Sequence, residues 1–285
     1  MITERRLRYF LGTLLRPLIK SYKKLYSQLS FTGDVEIHFD SKKLMFHCHQ
    51  QEISNSIYYS GIFGDFEGES LRLWRECIVS LNPRLILDIG AYSGIYSCVA
   101  ALYSNKSIIH AFEPNELTFK ILERNISLNG FTNIIPCNYG ISTSSGEQTF
   151  YNSGNSVSAA MTSVNHRYVN KDLGEIRFQI RDFLDVNESF DTKIDLIKMD
   201  IERAELPIIK HIKDVLNKDR PIIFCEVLDQ DEYAEFGKFF NEIGYKYIKI
   251  DDENKCHHHV SDMSMETQVG LNWIFYPMER SHLFS

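Results

Sequence analysis

Residues 85–94, Leu85-Ile86-Leu87-Asp88-Ile89-Gly90-Ala91-Tyr92-Ser93-Gly94, constrain the fold more than any other stretch of this chain. The nearly continuous apolar run at 85–89 fits a short strand buried on both faces, as in a parallel sheet. Gly90 then permits a tight turn, and Gly94 lets the next helix begin close to it. The pattern continues with a helix over 94–103, a strand over 107–112, a helix over 115–129 closed by Gly130, and a strand over 134–137. Strand and helix alternate, which implies right-handed crossovers and a doubly wound α/β sheet.

The alternation breaks over residues 140–181, where Gly, Ser and Asn clusters flank apolar runs at 148–151 and 176–180. These read as an inserted β-hairpin with a long loop. The rhythm then resumes with a strand at 194–199, a helix at 205–216, a strand at 221–227 and a helix at 231–243. Two last strands, 245–250 and 271–276, flank a polar connection. Upstream, residues 31–82 read as an extension made of a hairpin over 34–47 and a helix over 71–81. Residues 83–285 form the main domain.

Charge is unevenly spread. The net charge is −7, yet residues 1–30 carry +6, so the remaining 255 residues carry −13. An acidic body argues against nucleic acid as a partner, since that needs many Lys and Arg contacts to phosphates. The basic segment has apolar residues at helical spacing and reads as an amphipathic helix. A packing helix or a frayed terminus is the favoured reading, and peripheral contact with an anionic membrane is the other. No apolar stretch approaches the ~20 residues needed to span a bilayer, so a cytoplasmic protein is expected. Six cysteines without a Cys-x-x-Cys pair indicate buried thiols rather than a metal or redox site.

In a doubly wound sheet, ligands sit beyond the carboxyl ends of the strands. Asp88 and the Gly90–Gly94 turn lie there, as does Glu113, which ends the second strand nineteen residues after Gly94. A carboxylate at that place can accept hydrogen bonds from both ribose hydroxyls, which implies a nucleoside. The spacing is Gly-x-x-x-Gly rather than Gly-x-Gly-x-x-Gly, and an acid near the helix start would repel a pyrophosphate. A sulfonium attached to an amino acid fits better than a dinucleotide. Lys198, Asp200, Glu202, Arg203 and Glu205 follow the fourth strand, and Glu226 ends the fifth. Acids in a first helical turn favour the dipole, which accounts for Glu202 and Glu205 better than for Asp200 and Lys198. For Glu226 a solvated strand end is the competing reading.

His257-His258-His259 beside Cys256 suggests a metal, but adjacent side chains of an extended segment diverge, so a polar loop without metal is expected. His166 and Arg167 read as surface residues of the insertion.

The chain resembles the FkbM-type methyltransferases, a class I group dependent on S-adenosylmethionine. The likeness spans roughly residues 50–250 and rests on four places: Asp88-Ile89-Gly90-Ala91 with Gly94; Ala111-Phe112-Glu113-Pro114; Ile197 through Glu205; and Pro221 through Glu226. It implies a class I methyltransferase fold with a seven-stranded, mostly parallel sheet. It also implies O-methylation of a hydroxyl, commonly on a sugar or secondary metabolite, so the expected partner is a small-molecule or glycan acceptor. By the resemblance, Asp88, Gly90, Ala91, Gly94, Glu113 and Pro114 hold the cofactor, with Asp182 reaching the adenine amino group. Asp200, Glu202 and Glu226 are the candidate bases, and Lys198, Arg203 and Glu205 lie beside the acceptor.

Two departures stand out. Tyr92 replaces a usual Asn, and Arg203 replaces a Gly, which is costly if the position needs positive φ. A remodelled acceptor site, in a chain that binds cofactor but serves as a binding or scaffold module, is therefore the rival reading. A nicotinamide oxidoreductase is disfavoured by the missing third glycine.

Overall fold

The computed structural model describes residues 32–49, 52–151, 175–201, 203–266 and 271–284. The basic segment 1–30, His166, Arg167 and Glu202 lie outside the described residues. The chain opens with an antiparallel hairpin, β1 (Thr32–Phe39) and β2 (Lys42–His49), in register from Thr32 opposite His49 to Phe39 opposite Lys42. Its burial alternates, with Val35, Ile37, Leu44, Phe46 and Cys48 turned inward, as the period of two requires. Helices α1 (Glu52–Ser60) and α2 (Gly68–Leu81) follow, the first of which the sequence pattern did not announce.

The α/β core then runs β3 (Leu85–Ile89), α3 (Ile95–Tyr103), β4 (Ile108–Phe112), α4 (Glu116–Asn129) and β5 (Ile134–Cys137). All five residues of β3 are buried, and Gly130, with φ of 64°, closes α4. The insertion is a three-stranded sheet in which β6 (Gly140–Ser142) runs parallel to β8 (Glu175–Asp182), and β7 (Gly146–Tyr151) pairs with β8 antiparallel. The expected hairpin is present and carries one more strand than the pattern suggested. After α5 (Phe183–Asn187) come β9 (Leu196–Met199), α6 (Glu205–His211), α7 (Lys213–Asp219), β10 (Ile222–Glu226), α8 (Tyr233–Glu242), β11 (Tyr245–Asp251), β12 (Cys256–Val260) and β13 (Asn272–Pro277).

The main sheet has the order β12-β11-β13-β10-β9-β3-β4-β5. β10, β9, β3, β4 and β5 are parallel neighbours, while β13 is antiparallel to both β10 and β11. The seven strands expected are all here, and β12 is an eighth. It corrects the reading of residues 256–260 as a loop, for the His run is a strand. The outer edge of β11 has backbone groups to satisfy, and this segment pairs with them. The side chains diverge as extended geometry demands: His257 meets Glu69, His258 approaches Glu266, and His259 meets the Phe284 carbonyl.

One further correction concerns residues 205–216, where a continuous helix was expected. The helix breaks at Ile212, at φ −95° and ψ 19°, and both pieces turn Ile208, Ile209, Ile212, Val215 and Leu216 into one core. Apolar layers cover both sheet faces. α2, α3 and α4 pack on the side of Ile86, Leu196 and Phe224, and α6, α7 and α8 on the side of Leu87, Ile197 and Cys225. No helix of the described residues is long and apolar enough to cross a membrane.

Candidate active site

The central parallel strands β3 and β9 end side by side, and the turn after β3 is pinned by backbone hydrogen bonds. Gly90 and Ala91 donate N–H bonds to the Phe112 carbonyl at 3.0 and 2.9 Å, and Asp200 donates its N–H to the Ile89 carbonyl at 3.0 Å. Gly90 has φ of 83°, and a Cβ there would lie 1.9 Å from the Asp200 carbonyl oxygen. The glycine is what allows the two loops to touch. Asp88 is buried and turns toward α3, where Oδ2 accepts from the Ser97 N–H at 3.0 Å and the Ser97 hydroxyl at 2.6 Å. Burial pushes its carboxyl up to about 6, although the Ser97 bonds oppose this rise. Asp88 therefore anchors the helix that the turn launches.

Glu113, just past the end of β4, is only 4% exposed. Its Oε2 accepts the Tyr92 N–H at 2.9 Å, while Oε1 accepts the Asn115 N–H and the Thr118 hydroxyl, each at 2.8 Å. Burial pushes its carboxyl up to about 7, against the pull of those donors. Three of a carboxylate's roughly four acceptor positions are thus taken. One acceptor position remains open. Pro114 lies against Gly140, at the start of the three-stranded sheet.

At the end of β9, Lys198 is 2% exposed and its Nζ lies 3.2 Å from Asp200 Oδ2. The same ammonium stands 5.0 Å over the Tyr96 ring. Burial alone would lower its pKa, but Asp200, Glu67 and Glu226 together outweigh that and hold it above the ordinary lysine value. Glu205 is buried and accepts the Ile201 N–H at 2.8 Å, with burial pushing its carboxyl up to about 7. It braces the loop between β9 and α6. Arg203 has φ of 78°, the left-handed conformation that the substitution of Gly called into question, and its guanidinium reaches Asp229 at 3.3 Å. Glu226 ends β10 half-buried, opposite Asn272 of β13.

Asp182 is placed differently from these. Its Oδ1 accepts the Leu184 N–H at 2.8 Å, capping α5, and meets His211 Nε2 of α6 at 2.9 Å. Its side chain thus joins α5 to α6, while its backbone pairs with Ser142 of β6 and donates its N–H to Ser145 Oγ at 2.9 Å.

The structure adds residues that the motifs did not reveal. Tyr96 of α3 donates its hydroxyl to Glu67 Oε2 at 2.7 Å, and Glu67 stands immediately before α2. Asp252, just past β11, accepts from the Ser70 N–H and hydroxyl at 2.8 and 2.7 Å and from Asn272 Nδ2 at 3.1 Å. None of these residues sits in a recognisable pattern. Only the helical run beginning at Leu71 hinted that a helix start lay close by.

Residues 88–247 match the model of the methyltransferase FkbM domain, more than half of the chain. The chain belongs to the FkbM methyltransferase family. Among curated relatives, the hexuronic acid methyltransferase AglP of Haloferax volcanii is 30% identical over 132 residues, 46% of this chain and 51% of that one. The chain thus spans about half the length of the curated relative it matches. Among solved structures, methyltransferase FkbM from Methylobacillus flagellatus superposes with a TM-score of 0.43 at 14% identity, covering 93% of this chain and 60% of that one. TYW2 of M. jannaschii in complex with AdoMet superposes with a TM-score of 0.40 at 13% identity, covering 86% and 84%.

Proposed function

We propose that this FkbM chain is an S-adenosylmethionine-dependent O-methyltransferase acting on a hydroxyl of a sugar or glycan. The observation that carries the reading is the meeting of the Gly90 turn with the Lys198–Asp200 pair across the ends of β3 and β9. One side of that junction offers a nucleoside site, and the other offers carboxylates for an acceptor.

The residues fit the cofactor. Glu113 keeps one acceptor position for a ribose hydroxyl, and the acidic groups around Lys198 suit a ligand with a net positive charge. When bound, the cofactor supplies an electrophilic methyl group. The chain's own part is to hold an acceptor oxygen in line with it, which can supply much of the acceleration. Asp200 or Glu226 then takes the hydroxyl proton. Lys198 keeps a cation beside Asp200, and Glu205 holds the intervening loop through Ile201. The relative named for hexuronic acid methylation supports a sugar acceptor.

The test pairs calorimetry with turnover. S-adenosylhomocysteine should bind in preference to NAD, and methyl transfer should occur to methyl glycosides of hexoses or hexuronic acids. Asp200→Asn or Glu226→Gln should lower turnover by roughly 10²- to 10⁴-fold. Tight binding of S-adenosylhomocysteine with no transfer to any glycoside would favour the rival reading of a binding module, to which the Arg203 substitution points.

A further inference from the structure

We infer that Glu67, together with Tyr96 and Lys198, forms the subsite for the amino-acid end of the cofactor, with the Glu67 carboxylate receiving the α-ammonium group. The inference rests on the methyltransferase reading and deepens it. Glu67 lies outside residues 88–247, which carry the family match.

Consider where a nucleoside with an amino-acid tail can lie. The ribose end belongs at Glu113 and the Tyr92 turn, at the end of β4. The acceptor carboxylates, Asp200 and Glu226, lie at the ends of β9 and β10. A tail leaving the ribose and running along the ends of these strands passes the end of β3 and the first turn of α3. Tyr96 is in that turn, and its ring lies beneath the Lys198 ammonium.

The side chain of Glu67 serves Tyr96 rather than the helix that it precedes. The residue enters α2 at φ 43° and ψ 38°, yet makes no cap hydrogen bond to its own helix. Its carboxylate points instead to Tyr96. Burial pushes its pKa up, Lys198 offsets this in part, and Asp200 and Asp252 add to it. A carboxylate in that state gains most from a second cation, because the neighbouring ammonium of Lys198 is already shared with Asp200. The cofactor's amino-acid end carries one ammonium and one carboxylate. Glu67 and Lys198 present the complementary pair.

The test uses the full chain and three ligands that need no acceptor: S-adenosylhomocysteine, its analogue with the amino group replaced by hydrogen, and 5′-methylthioadenosine. A charge-assisted contact predicts that the wild-type chain binds S-adenosylhomocysteine roughly ten- to a hundredfold more tightly than the deaminated analogue. Glu67→Gln should remove most of that difference while leaving 5′-methylthioadenosine affinity within about twofold. Equal loss for all three ligands would show a structural role and overturn the inference, as would an unchanged preference for the amino group. Should Glu67→Gln not fold, Glu67→Asp takes its place, and equal wild-type affinity for the first two ligands overturns the inference in either case. If the wild-type chain binds none of the three, the methyltransferase reading falls as well.

Discussion

The backbone N–H of Tyr92 donates to Glu113 Oε2 at 2.9 Å, tying the glycine turn after β3 to the acid that follows β4. The turn and the acid are one structure, so a change in either should be felt at both. Glu113→Gln keeps one oxygen for Asn115 and Thr118 but sets an amide against the Tyr92 N–H. Leaving that donor unsatisfied costs on the order of 1–3 kcal/mol, reduced by the relief of no longer burying a charge. The affinity for S-adenosylhomocysteine is expected to fall at least tenfold, with a smaller loss of stability, as read by calorimetry and urea unfolding. Retention of full affinity would mean that the turn stands without this tie.

Three buried carboxyls, alongside Glu67, make the stability of the ligand-free chain depend on pH. Asp88 is pushed up to about 6, and Glu113 and Glu205 to about 7, chiefly by burial. Their native pKa values lie above those of the unfolded chain, so between about pH 4 and 7 the native state holds more protons. Stability must then fall as pH rises through that window. A tenfold change in a group's proton affinity corresponds to about 1.4 kcal/mol, so a loss of several kcal/mol between pH 5 and 8 is the upper bound for the three. Groups held low, such as Glu279 at about 2 beside Arg220, act only on the acid side. Urea unfolding at the two pH values measures the loss, and Glu205→Gln should reduce it, since an amide oxygen can still accept from Ile201. Equal or greater stability at pH 8 would refute this account.

Arg203 occupies a left-handed backbone conformation at φ 78°. For a residue with a Cβ this costs roughly 1–2 kcal/mol, whereas for glycine it does not. The compensating contact is a half-exposed pair with Asp229 at 3.3 Å, of a kind worth about 0–1 kcal/mol. Arg203→Gly is therefore expected to stabilise the chain by about 0.5–1 kcal/mol, after the greater entropy of an unfolded glycine is counted. Thermal unfolding would register a rise of about 1–4 °C. A fall would mean that the Arg203 side chain supports the loop after β9 more than its backbone strains it.

What the sequence disclosed depended on the kind of constraint. The strands β3, β4, β5 and β9 are short and largely apolar, and their runs stand out between polar turns. Gly90, Gly94 and Gly130 each mark a place where the backbone takes positive φ. The edge strand β12 was hidden because it is mostly solvent-facing and rich in His, with neither an apolar run nor alternation. The break at Ile212 was hidden for the opposite reason. Its residue is apolar and keeps the helical spacing, so only the tertiary turn into the core reveals it. Asp88, Glu113, Asp200 and Glu226 could be placed because strand ends locate themselves. Glu67, Asp252 and Asn272 reach the same region from outside the motif-bearing strands, through contacts between residues as much as 182 positions apart.

The β1–β2 hairpin is joined to this region by a buried amide. Asn125 of α4 is fully buried; its Oδ1 accepts the His47 N–H at 2.8 Å, and its Nδ2 donates to the Ser93 carbonyl at 2.8 Å. One side chain thus holds both the hairpin backbone and the glycine turn. Asn129, one turn further along α4, grips the hairpin alone, accepting the Met45 N–H at 2.8 Å and donating to its carbonyl at 2.7 Å. Asn125→Ala strands a donor on one side and an acceptor on the other, for an expected loss of about 2–5 kcal/mol. Asn129→Ala should cost less, because its partners are only part-buried and water can replace it. The two variants separate two effects. Hydrogen exchange should quicken in β2 for both, but in the turn at Ser93 for Asn125→Ala alone, and only that variant should weaken S-adenosylhomocysteine binding. Equal weakening by both would mean that the docked hairpin itself, rather than the amide of Asn125, supports the turn.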